Sequence, residues 1–186
     1  MELLIDTADL QSIQQCQQYF PIAGVTCNPS IVKKSAPKDF FEHMRSIRSI
    51  IGMDESLHIQ IIAKTSDEQV KEAHQIFEAV DDQGYIKVPV DWQGLRTIRI
   101  LKQQGHHVTA TAVYDLMQAY MALAAGADYI APYVNRIGSI GSDPYELIQQ
   151  LSQRIDHDHY ECKIVAASFH SVQQVRESLN AGSQAV

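Results

Sequence analysis

The residue that most invites chemistry is Lys87. It stands in the stretch Tyr85–Val90, YIKVPV, alone among apolar neighbours and a proline. Side chains alternate between the faces of a strand, so Lys87 turns away from Ile86, Val88 and Val90. A lysine in such a run either snorkels to solvent or is buried for a purpose. Free lysine has a pKa near ~10.4 and is almost wholly protonated at neutral pH. Desolvation disfavours the ammonium and lowers that pKa. The unprotonated amine can then attack a ketone or aldehyde and form a Schiff base. The resulting iminium is an electron sink for cleaving the adjacent C–C bond.

A second set of polar residues recurs at one kind of place, where short apolar runs end. The set is Asp6; Thr26 and Asn28; Gln60; Thr109 and Thr111; Tyr133, Asn135 and Arg136; and Ser168. Most have a plain structural reading beside the chemical one. Asp6 could cap the first helix, and Asn28, before Pro29, could be a turn residue. Thr111 could cap a helix starting near Tyr114, Arg136 could pair with a surface carboxylate, and Ser168 could cap the last helix. Gln60 is harder to set aside, because a buried amide needs partners.

The elements that must position these residues alternate along the chain. Strands are expected at Glu2–Ile5, Ala23–Thr26, His58–Ala63, Tyr85–Val88, His107–Ala110, Tyr129–Ala131 and Lys163–Ala166. Helical spacing places Leu10, Ile13, Cys16 and Phe20 on one face, and Val70, Ala73, Ile76, Phe77 and Val80 on another. GLRTIRILKQQG ends at Gly105, a helix stop, and Pro144 follows a capping residue. Strand and helix in alternation imply parallel pairing with right-handed crossovers. The repeat is the scale of a βα module, and seven modules fit. An eighth begins at AGSQAV. The expectation is α/β, a single (β/α)8 TIM barrel domain over residues 1–186. Its eighth strand and helix are largely absent from this sequence, so the domain is C-terminally incomplete or open at its seam. A doubly wound sheet is the alternative, although no GxGxxG follows a strand.

The totals narrow the class. The chain has 186 residues, is 45% hydrophobic, and carries a net charge of −7, which argues against a nucleic-acid groove. Three scattered cysteines without a CxxC argue against a disulfide framework or zinc ribbon and for a reducing cytoplasm. MELLIDTADL has charge inside its apolar run and does not read as a signal peptide. No segment reads as membrane-spanning.

The motifs IDTAD, AGVTCNPSIV, IKVPV, TATAVY, APYVNRIG and AASF resemble, in order, those of the small transaldolase family, which includes fructose-6-phosphate aldolases. The resemblance spans the whole sequence. It implies a class I aldolase barrel, a metal-independent lyase or transferase with no cofactor, whose Schiff-base lysine falls on Lys87. It places Asp6 and Asn28 on substrate hydroxyls, with Thr26 beside them, and Thr111 on a catalytic water. It places Arg136 and Ser168 on the sugar phosphate. Gln60 and Tyr133 are similar to the aldolase branch, where transaldolases carry Glu and Phe. With no titratable group at Gln60, the phenol of Tyr133 must supply or steer the proton. The substrate implied is fructose 6-phosphate, cleaved to dihydroxyacetone and glyceraldehyde 3-phosphate. Transfer of dihydroxyacetone between sugar phosphates, as in the pentose phosphate pathway, is the alternative, and a non-catalytic sugar-phosphate-binding module is a third reading. The resemblance also implies a homo-oligomer, often a pentamer-based ring. It departs at Gly138, where the family usually carries an acidic residue.

Other clusters invite blander accounts. RIDHDHYEC gathers His157, His159, Asp156, Asp158 and Cys162, but in a helix-to-strand loop opposite the strand ends that carry the chemistry. His106 and His107 lie on that same side. RIGSIGSD reads equally as a phosphate nest or as a flexible loop before the Ser142/Asp143 cap.

Overall fold

The computed structural model describes residues 1–186. The chain forms two compact units, Glu2–Lys87 and Val88–Val186, the second also including Met1. The boundary falls inside one strand.

The first unit holds β1 (Leu4–Asp6), α1 (Leu10–Tyr19), β2 (Gly24–Cys27), α2 (Pro29–Ser35), α3 (Phe40–Ile51), β3 (Ser56–Gln60) and α4 (Ser66–Ala79). It also holds most of β4 (Tyr85–Pro89). Its strands pair in parallel, with Asp6 beside Thr26, Thr26 beside His58, and Gln60 beside Lys87. Ile13, Met44, Ile47, Ile51 and Leu57 fill its core.

The second unit takes up β4 at Val88 and adds α5 (Trp92–Gln103), β5 (His107–Val113), α6 (Leu116–Ala124) and β6 (Tyr129–Pro132). It continues with α7 (Val134–Ser139), α8 (Pro144–Asp158), β7 (Lys163–Ile164) and α9 (Val172–Asn180). The backbone N–H of Val90 donates to Thr111 O at 2.9 Å, so the end of β4 meets β5 within this unit. β5, β6 and β7 then pair in parallel. Ile98, Leu101, Ile130, Ile148 and Leu151 are its buried centre.

Strand order is β1-β2-β3-β4-β5-β6-β7, the order of the chain. A doubly wound sheet reverses order at a switch point, and none occurs here. Seven parallel strands alternating with helices give the α/β fold expected of a (β/α)8 barrel. The seventh strand also meets the start of an eighth segment: Ala185 bridges Val165 in parallel, and Ala166 N–H donates to Ala185 O at 3.1 Å. No helix is long and apolar enough to cross a membrane.

Local chemistry explains the element boundaries. Asp9, Asn28, Asp39, Thr65, Asp91, Asp115, Asp143 and Ser171 each cap a helix through a side-chain oxygen. β3 begins at Ser56 and ends at Gln60, two residues earlier than expected at its start and three at its end. The Glu72 carboxylate accepts from the N–H groups of Ile62 and Ala63, at 3.0 and 2.8 Å, and so takes those groups from the ladder. β5 runs three residues beyond its expected end, to Val113. It does so through a bulge, with Thr111 and Ala112 standing where β6 has one residue. Gly94 is required by contact: a Cβ there would lie 1.9 Å from Pro89 O, so α5 sits directly on the end of β4.

Candidate active site

In the first unit the site is built around Lys87. Both faces of β4 are buried, as in a parallel sheet covered on both sides: Ile86 is 1% exposed, Lys87 7% and Val88 0%. Lys87 therefore does not snorkel. Its Nζ donates to Thr26 Oγ1 at 3.0 Å, and the Thr26 hydroxyl donates to Asp6 Oδ1 at 2.8 Å. Burial pushes the Lys87 pKa below the ordinary lysine value, against the opposing pull of Asp6 and then Cys27. This is the environment a nucleophilic amine needs: desolvated, but held through a hydroxyl to one carboxylate at the strand end.

Gln60 lies beside Lys87 in register, and its Oε1 is buried without a hydrogen-bond partner. Such an acceptor costs ~1–3 kcal/mol unless a ligand or water satisfies it. Gln60 also lines a cavity of about 290 Å³, together with Asn28, Lys33, Phe40 and Glu72. Asn28 follows its plainer reading in part: its Oδ1 caps α2 by accepting from Ile31 N–H at 3.1 Å. Its amide nitrogen is not used by that cap.

Beneath these groups lies a residue that sequence reasoning passed over. His58 is 1% exposed and stacks on Tyr85, with ring centroids 4.5 Å apart and planes 13° from parallel. One of its nitrogens, Nε2, lies 2.9 Å from Ser56 Oγ. Ser56 Oγ also donates to Ala23 O at 3.1 Å. Burial, then Lys87 and Arg48, hold the His58 pKa down to about 3. The neighbouring Cys27 thiol is pushed up to about 11 by burial and donates to His58 O. It is a thiol, not a thiolate, at neutral pH.

In the second unit the expected residues form another cluster. Thr111 is fully buried, and its Oγ1 lies 3.1 Å from the Tyr133 hydroxyl. The bulge aims it there, with Ala112 in the left-handed region at φ 56°. The Arg136 guanidinium lies over the Tyr133 ring, 5.4 Å from its centroid, and Nη1 donates to the Tyr114 hydroxyl at 3.1 Å. Ser168 sits at φ 62°, also left-handed. Its carbonyl accepts from Asn135 N–H at 3.1 Å, and Asn135 Oδ1 accepts from Gln174 Nε2 at 3.1 Å. Those bonds tie the loop after β7 to the start of α7.

The plainer readings of four residues give way. Asp9 caps α1 in place of Asp6, Asp115 caps α6 in place of Thr111, and Ser171 caps α9 in place of Ser168. Arg136 meets a phenol, not a carboxylate. Thr109 is buried one turn of the strand pattern below Thr111. In the RIDHDHYEC cluster, Asp158 takes His157 Nδ1 at 2.6 Å and Arg154 Nη1 at 3.3 Å, an ion-paired helix end.

Residues 3–186 match the family described as Transaldolase/Fructose-6-phosphate aldolase. Over 186 residues the chain is 43% identical to a probable fructose-6-phosphate aldolase of Streptococcus pneumoniae. That alignment covers 100% of this chain and 84% of its relative.

Proposed function

This chain belongs to the transaldolase/fructose-6-phosphate aldolase family, and we propose that it works through Lys87 as the Schiff-base nucleophile. The activity of the family is that of a class I aldolase or transaldolase acting on sugar phosphates, and the chain is an enzyme of that type. The observation that carries the assignment is the buried amine, 3.0 Å from Thr26 Oγ1 with its pKa lowered by burial.

In the proposed reaction the neutral amine of Lys87 attacks the ketose carbonyl. The carbinolamine loses water with a proton delivered from a water held by Thr111 and Tyr133. Asp6 takes the proton of the hydroxyl at the cleaving bond, and the C–C electron pair flows into the iminium. A three-carbon enamine stays on Lys87 and the aldehyde leaves. Gln60 belongs to that water relay, and Thr26 and Asn28 orient hydroxyls. Arg136 and Ser168 hold the phosphate, the guanidinium by two parallel hydrogen bonds. Protonation and hydrolysis of the enamine release dihydroxyacetone. Gln60 and Tyr133 favour that outcome over transfer, because Gln60 cannot act as acid or base and the phenol can. We place the enzyme in the cytoplasm as a homo-oligomer on the same reading.

Borohydride reduction in the presence of fructose 6-phosphate tests the nucleophile. Peptide mass analysis should find a three-carbon adduct on Lys87 and none in Lys87→Met. A folded, full-length sample with no adduct would leave only the non-catalytic binding module. The two reaction outcomes separate without an acceptor: an aldolase releases glyceraldehyde 3-phosphate from fructose 6-phosphate alone. An absolute need for an acceptor aldose makes it a transaldolase.

A further inference from the structure

Arg136 is held in an unusual way for a surface guanidinium. It has no carboxylate partner; its polar contact is the Tyr114 hydroxyl at 3.1 Å, and its guanidinium carbon lies over the Tyr133 ring, 5.4 Å from the centroid. Tyr114 also meets Tyr133 directly, edge to face, with centroids 5.7 Å apart at 66°. Tyr133 in turn meets Thr111 at 3.1 Å. The Tyr114 backbone is itself fixed, since its N–H donates to Gln118 Oε1 at 2.8 Å while Gln118 Nε2 donates to Val90 O. One rigid side chain therefore touches both the cation and the phenol.

The choice of partner has a chemical consequence. A carboxylate would neutralise Arg136 and would have to be displaced by an incoming phosphate. A neutral phenol uses one of the five guanidinium N–H groups and leaves the charge and the remaining donors for an anion. We propose that Tyr114 is a positioning residue for phosphate recognition, its hydroxyl holding Arg136 in the gripping pose and its ring wedging Tyr133 against Thr111. This rests on Arg136 being the phosphate ligand. It adds that selectivity for phosphorylated over unphosphorylated aldehydes depends on a residue that does not itself touch phosphate.

The test compares glyceraldehyde 3-phosphate with glyceraldehyde as acceptors for dihydroxyacetone. Tyr114→Phe deletes only the hydroxyl. The ratio of kcat/KM for the phosphorylated over the unphosphorylated aldehyde should fall about tenfold, the scale of one charged hydrogen bond. The loss should lie in KM and not in kcat. In an Arg136→Ala background the same change should have no further effect on that ratio, because the group it positions is gone. Tyr114→Leu removes the wedge as well, and should lower kcat with both aldehydes. If Arg136→Ala collapses the ratio and Tyr114→Phe leaves it unchanged, or lowers both aldehydes equally, the positioning role is wrong. If Arg136→Ala itself leaves the ratio intact, the phosphate assignment fails first.

Discussion

His58 allows a quantitative prediction about acid stability. The ring is buried against Tyr85, with Ser56 at its Nε2 and the basic residues Lys87 and Arg48 adding to the burial that disfavours its protonated form. Its folded pKa of about 3 lies far below the ordinary 6.5. A depressed folded pKa means that the unfolded chain binds the proton more readily. The stability from a neutral His58 is therefore complete above pH 6.5 and is lost as pH falls toward 3. Each unit of that gap is 1.36 kcal/mol, so going from pH 7 to pH 4.5 should remove about 2–3 kcal/mol through this residue alone. The perturbation is His58→Phe, which keeps a flat ring on Tyr85 and removes the titration. Urea unfolding at both pH values gives two free energies for each protein. Parent and variant share every other titrating group, so the difference between their pH dependences isolates His58. The parent should lose about 2–3 kcal/mol more than the variant. In NMR of the folded parent, the His58 ring proton should not titrate down to pH 4.5. Equal pH dependences would refute the reasoning, because they would mean that the ring takes up its proton inside the fold without cost.

Three further changes probe the site and its support. Thr26→Val removes the hydroxyl between Lys87 and Asp6 without changing shape. Stability should fall by ~1–3 kcal/mol, and the acid limb of borohydride trapping should move to lower pH, because the ammonium loses an acceptor; an unmoved limb would show that the hydroxyl does not tune the amine. Tyr133→Phe should lower hydrolysis of the enamine more than its transfer to an acceptor aldose, read by comparing dihydroxyacetone release with product transfer; equal losses would remove Tyr133 as the discriminating group. Gly94→Ala would normally favour a helix by about 1 kcal/mol. Here the added Cβ meets Pro89 O, so thermal unfolding should move down by several degrees, the scale of ~1–3 kcal/mol of overpacking.

Much of this site could be read from residue type and place, because those readings rested on local rules. Lys87 was legible because strand parity and apolar neighbours are both properties of six consecutive residues. The barrel-type order followed from the alternation of periods, and the seven strands were found with shifted limits, at β3 because a side chain takes its N–H groups and at β5 because of a bulge. Glu72 takes N–H groups nine and ten residues before it and so shortens β3, which no local pattern signals. His58 and Tyr114 were missed for the same reason. Each is an ordinary member of its own segment, and its importance arises from a partner on another strand or loop: Tyr85 in one case, Arg136 and Tyr133 in the other. RIDHDHYEC differs in placement only: it was read as a helix-to-strand loop, but Asp156, His157 and Asp158 belong to the charged end of α8.

Backbone strain draws the same line between what folds the chain and what it does. Four residues other than glycine have positive φ: Ala36, Ala112, His159 and Ser168. Ala36 and His159 are helix C-caps, where a left-handed residue closes the last turn. Ala112 and Ser168 cap nothing. Such a conformation costs on the order of 1–3 kcal/mol, and neither alanine nor serine prefers it. Ala112 adjoins Thr111 and turns the bulge that brings its hydroxyl to Tyr133, and Ser168 is the proposed phosphate ligand, its carbonyl bound to Asn135 N–H. The strain is carried where side chains must be aimed out of the regular strand pattern. On the proposed function, a sequence rule that expects glycine at such positions fails there because the position serves the site before it serves the fold.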